Sequence, residues 1–377
     1  MNKVVRIFLY LLFSLTFWER SYAQQYRFRT YSLEEGLPQS EVMDILEDSR
    51  GLLWIATNGG GVARFNGQKF KVINQENGLV HNRVKKLYED SRKNLWFITE
   101  RGATLYDGKK FRNFTEKDNF SNGVNFQIAE DSNGNFWFLI EKEKGSVRLL
   151  YLNQDSFVDF TLQQLKLLQE NSIFSIAINA EDDLIIHTQK GFFEYKDERL
   201  VESLLNNFFS TSNENIRLYG QNQSKIVRLL LENPVSKQLE LWTYRKGEVE
   251  KKYNLGNIAL KDFLYLTEDN KNNIWFSADK RGLFRMDEQG KIFNFSAKNG
   301  LPTTRIEVIA PTQTETLWLS SYGKGLIRYF GDGFTQFYTE AGLETGLIWA
   351  IAQAPDSTLW IGETGDKPLC RFDGERF

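Results

Sequence analysis

Four aspartates open short polar turns: Asp48-Ser-Arg-Gly, Asp90-Ser-Arg-Lys, Asp131-Ser-Asn-Gly and Asp269-Asn-Lys-Asn. Carboxylates in such turns can ligate calcium, and Asp131-x-Asn133-x-Asn135 has the opening of a calcium loop. Lys142 stands at its twelfth position, where a bidentate Glu would close the site. An Asx turn joining two strands accounts for all four copies at once. Asn58-Gly59-Gly60-Gly61 could cradle a phosphate, but no Lys-Ser/Thr and no helix follow it. Tyr322-Gly-Lys324-Gly is its counterpart further on, so a repeated hairpin turn is the simpler account. The two histidines, His81 and His187, and the single cysteine, Cys370, leave little for metal or nucleophile chemistry. His81 has no second histidine nearby and reads as a solvated loop residue, and Cys370 as a packing residue. Carboxylates are plentiful enough for a glycosidase-like pair, yet spacing alone locates none.

The whole chain is nearly neutral, with 47 basic and 49 acidic side chains among 377 residues and a formal charge of −2. Nucleic acid and anionic membrane surfaces both recruit a strong local excess of Lys and Arg, so neither partner is expected. An apolar content of 41% supplies a core, and 9 Trp, 15 Tyr and 30 Phe make the chain rich in aromatic surface. Residues 1–23 read as a cleaved signal peptide. Lys3 and Arg6 precede an apolar stretch from Ile7 to Trp18, and Ser21-Tyr22-Ala23 gives a small–x–small cleavage site. The stretch is shorter than the ~20 residues of a spanning helix. The expected mature chain is therefore exported, with no membrane contact of its own.

The remainder is repetitive. Val42-Met-Asp-Ile-Leu-Glu-Asp-Ser-Arg-Gly-Leu-Leu-Trp54 returns as Val84-Lys-Lys-Leu-Tyr-Glu-Asp-Ser-Arg-Lys-Asn-Leu-Trp96. Further copies centre on Trp137, Trp275, Trp318 and Trp360, and two weaker ones put Ile185 and Ile226 at the tryptophan position. The successive intervals are 42, 41, 48, 41, 49, 43 and 42 residues. Each unit reads as four short strands: one of alternating polarity, a polar turn, the tryptophan strand, then a hairpin such as Val62–Phe65, Asn66-Gly67, Lys69–Ile73. Eight such units predict an all-β fold, a β-propeller of seven or eight four-stranded blades across residues 24–377. A tryptophan repeated in each sheet would fill the gap to the next blade, burying roughly 150–250 Å². That assigns blade packing to Trp54, Trp96, Trp137, Trp275, Trp318 and Trp360.

The pattern Gly-Leu-Pro…Val-x-x-Ile-x-Glu-Asp-x-x-Gly-x-Leu-Trp-Ile-x-Thr-x-x-Gly-Gly-Val-x-Arg-Phe resembles the two-component regulator propeller repeat. The units around Trp54, Trp96, Trp275, Trp318 and Trp360 match well, those at Ile185 and Ile226 poorly. The resemblance implies the periplasmic sensor region of a hybrid histidine kinase of Bacteroidetes type. Such regions are tandem propellers, often of seven blades, followed by a β-sandwich, a membrane helix and a kinase, and glycan fragments are their usual ligands. This sequence departs from that plan in showing no kinase nucleotide motif, no receiver pattern and no phosphoacceptor setting around either histidine. The Asp turns also resemble the Asp-box of sialidase propellers, although their Asp-to-Gly spacing is one residue longer. Tyr26-Arg-Phe28-Arg-Thr-Tyr31 aligns with a fourth strand and could complete the last blade. Eight units in one ring would then close it; in a seven-blade ring the Trp360 unit would open a second propeller.

Propeller ligands usually meet the end of the ring where loops from every blade converge. Here those loops are the turn after each tryptophan strand and the Gly-Leu linker entering the next unit. The candidates on them are Gln39, Asn58, His81, Arg83, Glu100, Arg101, Lys280, Arg281, Arg305, Tyr322, Lys324 and Glu363. Arg and aromatic groups there suit a sugar, including an acidic one. The expectation is a non-enzymatic sensor of an oligosaccharide or other small ligand, without metal or cofactor, working as a homodimer or with further propeller and kinase modules. A secreted propeller hydrolase or lyase with paired carboxylates is the alternative, and a protein-interaction platform a third reading.

Overall fold

The structure, a computed structural model, describes residues 26–120, 122–142, 146–153, 156–160, 173–209, 216–221, 226–314, 316–321, 323–331, 343, 348–354, 358–365 and 368–372. The expected signal peptide lies outside them. The chain divides into two compact bodies, Met1–Gly331 and Asp332–Phe377.

The first body holds seven four-stranded antiparallel sheets. Their first strands are Val42–Glu47, Val84–Glu89, Asn125–Glu130, Ile173–Ile178, Ile216–Gln221, Phe263–Glu268 and Ile306–Pro311, which define blades 1 to 7. In six of these the remaining three strands follow in sequence order. The seventh takes its outer strand from the N-terminal side of the chain. Phe28–Tyr31 pairs antiparallel with Gly325–Tyr329, with Thr30 opposite Ile327. So the fourth strand read at Tyr26–Tyr31 completes the Trp318 unit, not the Trp360 unit.

First strands pack against first strands at six of the seven junctions, Val42–Glu47 touching both Val84–Glu89 and Ile306–Pro311, and blades 5 and 6 are joined by Arg217, which donates to the Phe263 carbonyl. That makes a closed ring with the first strands innermost. A single twisted sheet cannot bury two faces, and radial stacking supplies the partner for each. Trp54 is buried with Leu87, Leu95 and Phe97 of blade 2, and Trp96 with Phe136 and Phe138 of blade 3. Trp318 lies with Ile45, Ile55 and Phe65 of blade 1, so the last gap is filled like the first. Trp137 and Trp275 fill theirs in the same way. At ~25 cal/mol per Å², each such side chain contributes roughly 4–6 kcal/mol.

Where the repeat weakens, the filler changes. Ile185 is fully buried, but Ile226 is only half-buried, and the gap between blades 5 and 6 holds an ion pair of Arg228 with Glu268 at 2.7 Å.

Glycines mark the same close approach in four blades. Gly61, Gly102, Gly282 and Gly325 all have positive φ, and a Cβ on each would strike the carbonyl oxygen ending the fourth strand, Ile73, Phe114, Phe295 and Tyr31 respectively. In blade 7 that oxygen belongs to the N-terminal strand, which therefore occupies the regular position.

The second body contains a three-stranded sheet of Ile348–Gln353, Leu359–Glu363 and Leu369–Phe372. Its small core is Leu343, Ile361 and Phe372. Trp360 is 42% exposed there, so the packing role that its place in the repeat suggests is not realised among the described residues.

Candidate functional site

The ring has two unlike ends. At one end lie the turns between first and second strands. The Asp48 carboxylate accepts the backbone N–H of Arg50 and Leu52 and the Trp54 indole N–H at 2.9 Å. Asp90 and Asp269 repeat the arrangement, taking the indoles of Trp96 at 3.2 Å and Trp275 at 2.7 Å. Asp131 caps its own turn through Asn133 and Asn135. Burial raises the Asp48 carboxyl, and the indole with the backbone N–H groups outweighs it, holding it below its ordinary value. The glutamate before each aspartate reaches the preceding blade. Ser49 donates its N–H to Glu89 at 2.8 Å, Ser91 to Glu130 at 3.0 Å and, across the closure, Gln313 to Glu47 at 2.8 Å. These carboxylates are occupied by structure, and among the described residues no group of His, Cys, Asp and Glu could hold a metal.

At the other end the strand 2–3 turns meet the connections between blades, and most of the candidates read from sequence stand here. Around the entrance to blade 2, Asn58 bridges to Arg83, Arg83 pairs with Glu100 at 3.2 Å, and His81 accepts the Arg83 N–H on Nδ1 at 3.2 Å. Burial and the charges of Arg101 and Arg83 lower the His81 pKa against the opposing pull of Glu100. Asn58 also donates to Glu41 at 2.8 Å. Around the entrance to blade 7, Gly282 donates its N–H to Thr304, which puts Lys280 and Arg281 beside the segment carrying Arg305. Arg305 itself donates to Glu307 at 2.8 Å. Around the entrance to blade 1, Gly325 donates to Ser40, joining the Lys324 turn to the Gln39 segment. Tyr322 lies outside the described residues. Glu363 belongs to the second body, where it is buried and accepts from the Cys370 thiol at 3.1 Å. The described candidates of the first body thus form three clusters at blade entrances.

Inside this end, a cavity of about 630 Å³ runs along the ring axis, lined from blades 1 to 6. Its walls are first-strand residues absent from the sequence-based candidates: Met43, Lys85, Lys86, Asn125, Gln127, Phe174, Ser175, Arg217 and Tyr219 among them. Five of the seven first strands shift register near their start, at Val42/Asp44, Val84/Lys86, Ile173/Ser175, Phe263/Tyr265 and Ile306/Val308. Four of these bulges set one extra residue, Met43, Lys85, Phe174 and Leu264, against the cavity. The break in period-2 alternation at Val84-Lys-Lys-Leu87 is the signal that could have found them.

The cavity carries a fixed ion pair. Asp44 is buried, bonds Lys86 at 3.1 Å and accepts the Leu87 N–H at 2.9 Å. Burial works against the Lys86 charge, but Asp44 and Tyr265 more than offset it and raise its pKa. Tyr265, reaching across from blade 6, has its ring centre 5.9 Å from the ammonium, and burial raises its own pKa. Behind the wall, His187 is buried flat against Phe192 at 4.4 Å, its Nδ1 3.4 Å from the Ser175 hydroxyl. Burial pushes its pKa down to about 4, so the ring is neutral at pH 7.

Residues 36–59, the linker and first half of blade 1, match the two component regulator propeller family. A comparison with curated proteins found no match. Among solved structures, the chain is similar to the extracellular domain of a putative hybrid two component system from B. thetaiotaomicron, with 16% identity and a TM-score of 0.59, covering 93% of this chain and 49% of that one. It is similar to the extracellular domain of a putative one component system from the same organism at 19% identity and TM-score 0.59, covering 94% and 47%. Virginiamycin B lyase from Staphylococcus aureus gives 13% identity and TM-score 0.56, covering 81% and 99%. The chain spans about half the length of the two extracellular domains. At these identities the likeness establishes the β-propeller fold.

Proposed function

Proceeding from a chain that carries the two component regulator propeller repeat, we propose that the ring is the periplasmic ligand-sensing module of a two-component system. A glycan fragment binds at the end of the ring where the strand 2–3 turns meet the blade connections, over the axial cavity. Bound ligand favours one arrangement of a paired sensor, and a kinase module carried elsewhere reads that shift. The chain itself performs no catalysis. The observation that carries this reading is the axial cavity of about 630 Å³, which six blades line together, whereas the cavity of about 600 Å³ at the Asp-turn end lies between blades 3 and 4 alone. That volume falls in the roughly 300–1,000 Å³ of small-molecule sites. The model match at residues 36–59 and the likeness to extracellular domains of two- and one-component systems support it. No helix among the described residues is long and apolar enough to cross a membrane. Calorimetry against a panel of glycan fragments, with product analysis, tests the reading. Binding without turnover is expected; turnover that survives purification would replace it with a lyase or hydrolase on the same fold.

A further inference from the structure

The charges of the axial cavity do not balance. Its lining includes Lys85, Lys86 and Arg217, against one carboxylate, Glu141. Lys86 is matched by buried Asp44 at 3.1 Å. Glu141 is met by an uncharged partner, the Asn125 amide, at 2.8 Å. Lys85 and Arg217 form no ion pair with any described residue, and Arg217 is steadied by donating to the Phe263 carbonyl at 2.9 Å. They stand on blades 2 and 5, on opposite sides of the ring. Setting Lys85 and Arg217 against Glu141 leaves one positive charge in a partly enclosed space, where an opposite charge is attracted more strongly than in open water. The rest of the wall suits a sugar. Asn125, Gln127 and Ser175 offer polar groups, although the Gln127 amide already ties blade 3 to blade 4 through the Ile176 N–H at 3.0 Å. Phe174, 38% exposed, offers an aromatic face.

We infer that the axial cavity takes an acidic saccharide, with the carboxylate of one uronate unit held between Lys85 and Arg217 and a sugar ring against Phe174. This inference rests on the sensing role proposed above and names the class of ligand for it. Lys85 occupies a bulge rather than a regular ladder position, which is how a lysine of the innermost strand comes to line the cavity.

The test is calorimetry on the whole chain at low ionic strength, with digalacturonate, the neutral disaccharide galactobiose, and inorganic sulfate. Digalacturonate is expected to bind at least tenfold more tightly than galactobiose, and sulfate only weakly. Lys85→Gln should weaken digalacturonate about tenfold and leave galactobiose unchanged, while Lys109→Gln, in a turn at the opposite end, should change neither. Arg217→Gln should act like Lys85→Gln; because its link to the Phe263 carbonyl joins two blades, Arg217→Lys is measured beside it and should retain part of the affinity. Equal binding of both disaccharides, or digalacturonate binding indifferent to Lys85→Gln, overturns the inference and leaves the sensing role standing. Sulfate binding as tightly as digalacturonate also overturns it, since the cavity would then be a general anion hole. If neither disaccharide binds, the inference is overturned, and the sensing role is decided separately by the glycan-fragment panel.

Discussion

At the Asp-turn end of the ring, blades 1, 2 and 6 use the same residues for the same task, whereas at the other end the recurring threonines Thr57, Thr99 and Thr188 are buried and the turn tips and cavity-facing bulges change from blade to blade. Asp48, Asp90 and Asp269 each hold their own turn and the indole two strand positions beyond it. Glu47, Glu89 and Glu130 each tie to the blade before. At the loop end the corresponding positions carry Asn58, Glu100 and Asp279, and the bulges set Met43, Lys85, Phe174 and Leu264 against the cavity. Recurrence in this chain marks what holds blades together; on the sensing role proposed above, departure from recurrence marks where a ligand is read. In blades 1, 2 and 6 repetition satisfies polar groups mutually; blade 3 departs from it, since the buried Trp137 indole N–H finds no partner among the described residues. Variation leaves charges such as Lys85 without a described ion-pair partner.

The largest effect expected is on the repeated part. Trp96→Ala removes a fully buried indole from between blades 2 and 3 and orphans one acceptor position on Asp90. It should cost ~3–5 kcal/mol in denaturant unfolding. A variant as stable as the parent would break the link between recurrence and packing.

Acid separates the two ends by pH window. His187, behind the cavity wall, has a folded pKa of about 4 against an ordinary value of 6.5. The unfolded chain therefore binds the proton first, and stability is lost as pH falls from 6.5 to 4, by up to about 3 kcal/mol. Asp48 has the opposite chemistry. Its pKa is depressed, so its contribution is intact above the ordinary carboxylate value of 3.8 and lost only as pH falls below it. Unfolding curves between pH 7 and 4.5 should steepen the loss for the parent chain and flatten it for His187→Leu. An unchanged profile in that variant would remove His187 from the account.

Closure of the ring is tested by a methyl group. Gly325→Ala would drive a Cβ into the Tyr31 carbonyl and should cost about 2–3 kcal/mol. Gly67→Ala, also at positive φ but with nothing near, carries only the conformational cost of about 1 kcal/mol. Equal losses would mean that the N-terminal strand does not sit against Gly325. The smallest effects belong to the loop end, where Arg101→Ala and Lys324→Ala, both exposed, should each stay within about 0.5 kcal/mol of the parent.

Much of the fold is legible in the sequence because the repeat writes local rules. The Trp54 and Trp96 units announce their strands, turns and indole positions through spacing alone. Blade count was not legible. Tyr26–Tyr31 reads as a fourth strand, yet whether it joins the Trp318 or the Trp360 unit depends on a pairing across nearly the whole first body. Local patterns carry no information about that partner. The loop-end candidates were found because turns are visible in sequence, and the structure gathers Asn58, His81, Arg83, Glu100 and Arg101 around one blade entrance. The cavity wall was missed. Lys85 stands in a strand, where alternation assigns a side chain to one neighbouring blade or the other, and a bulge of one residue is enough to change which; Arg217 stands near the start of a strand of unbroken register, which carries no such signal.

The central claim is that ligand is read at the end of the ring where the blades differ. Hydrogen exchange with and without a glycan fragment that binds in calorimetry tests it most directly. Added protection should concentrate at the starts of the first strands, around Met43, Lys85, Asn125, Phe174 and Arg217, and leave the turns at Asp48, Asp90 and Asp269 unchanged. Protection at those aspartate turns, with none at the first-strand starts, would contradict it.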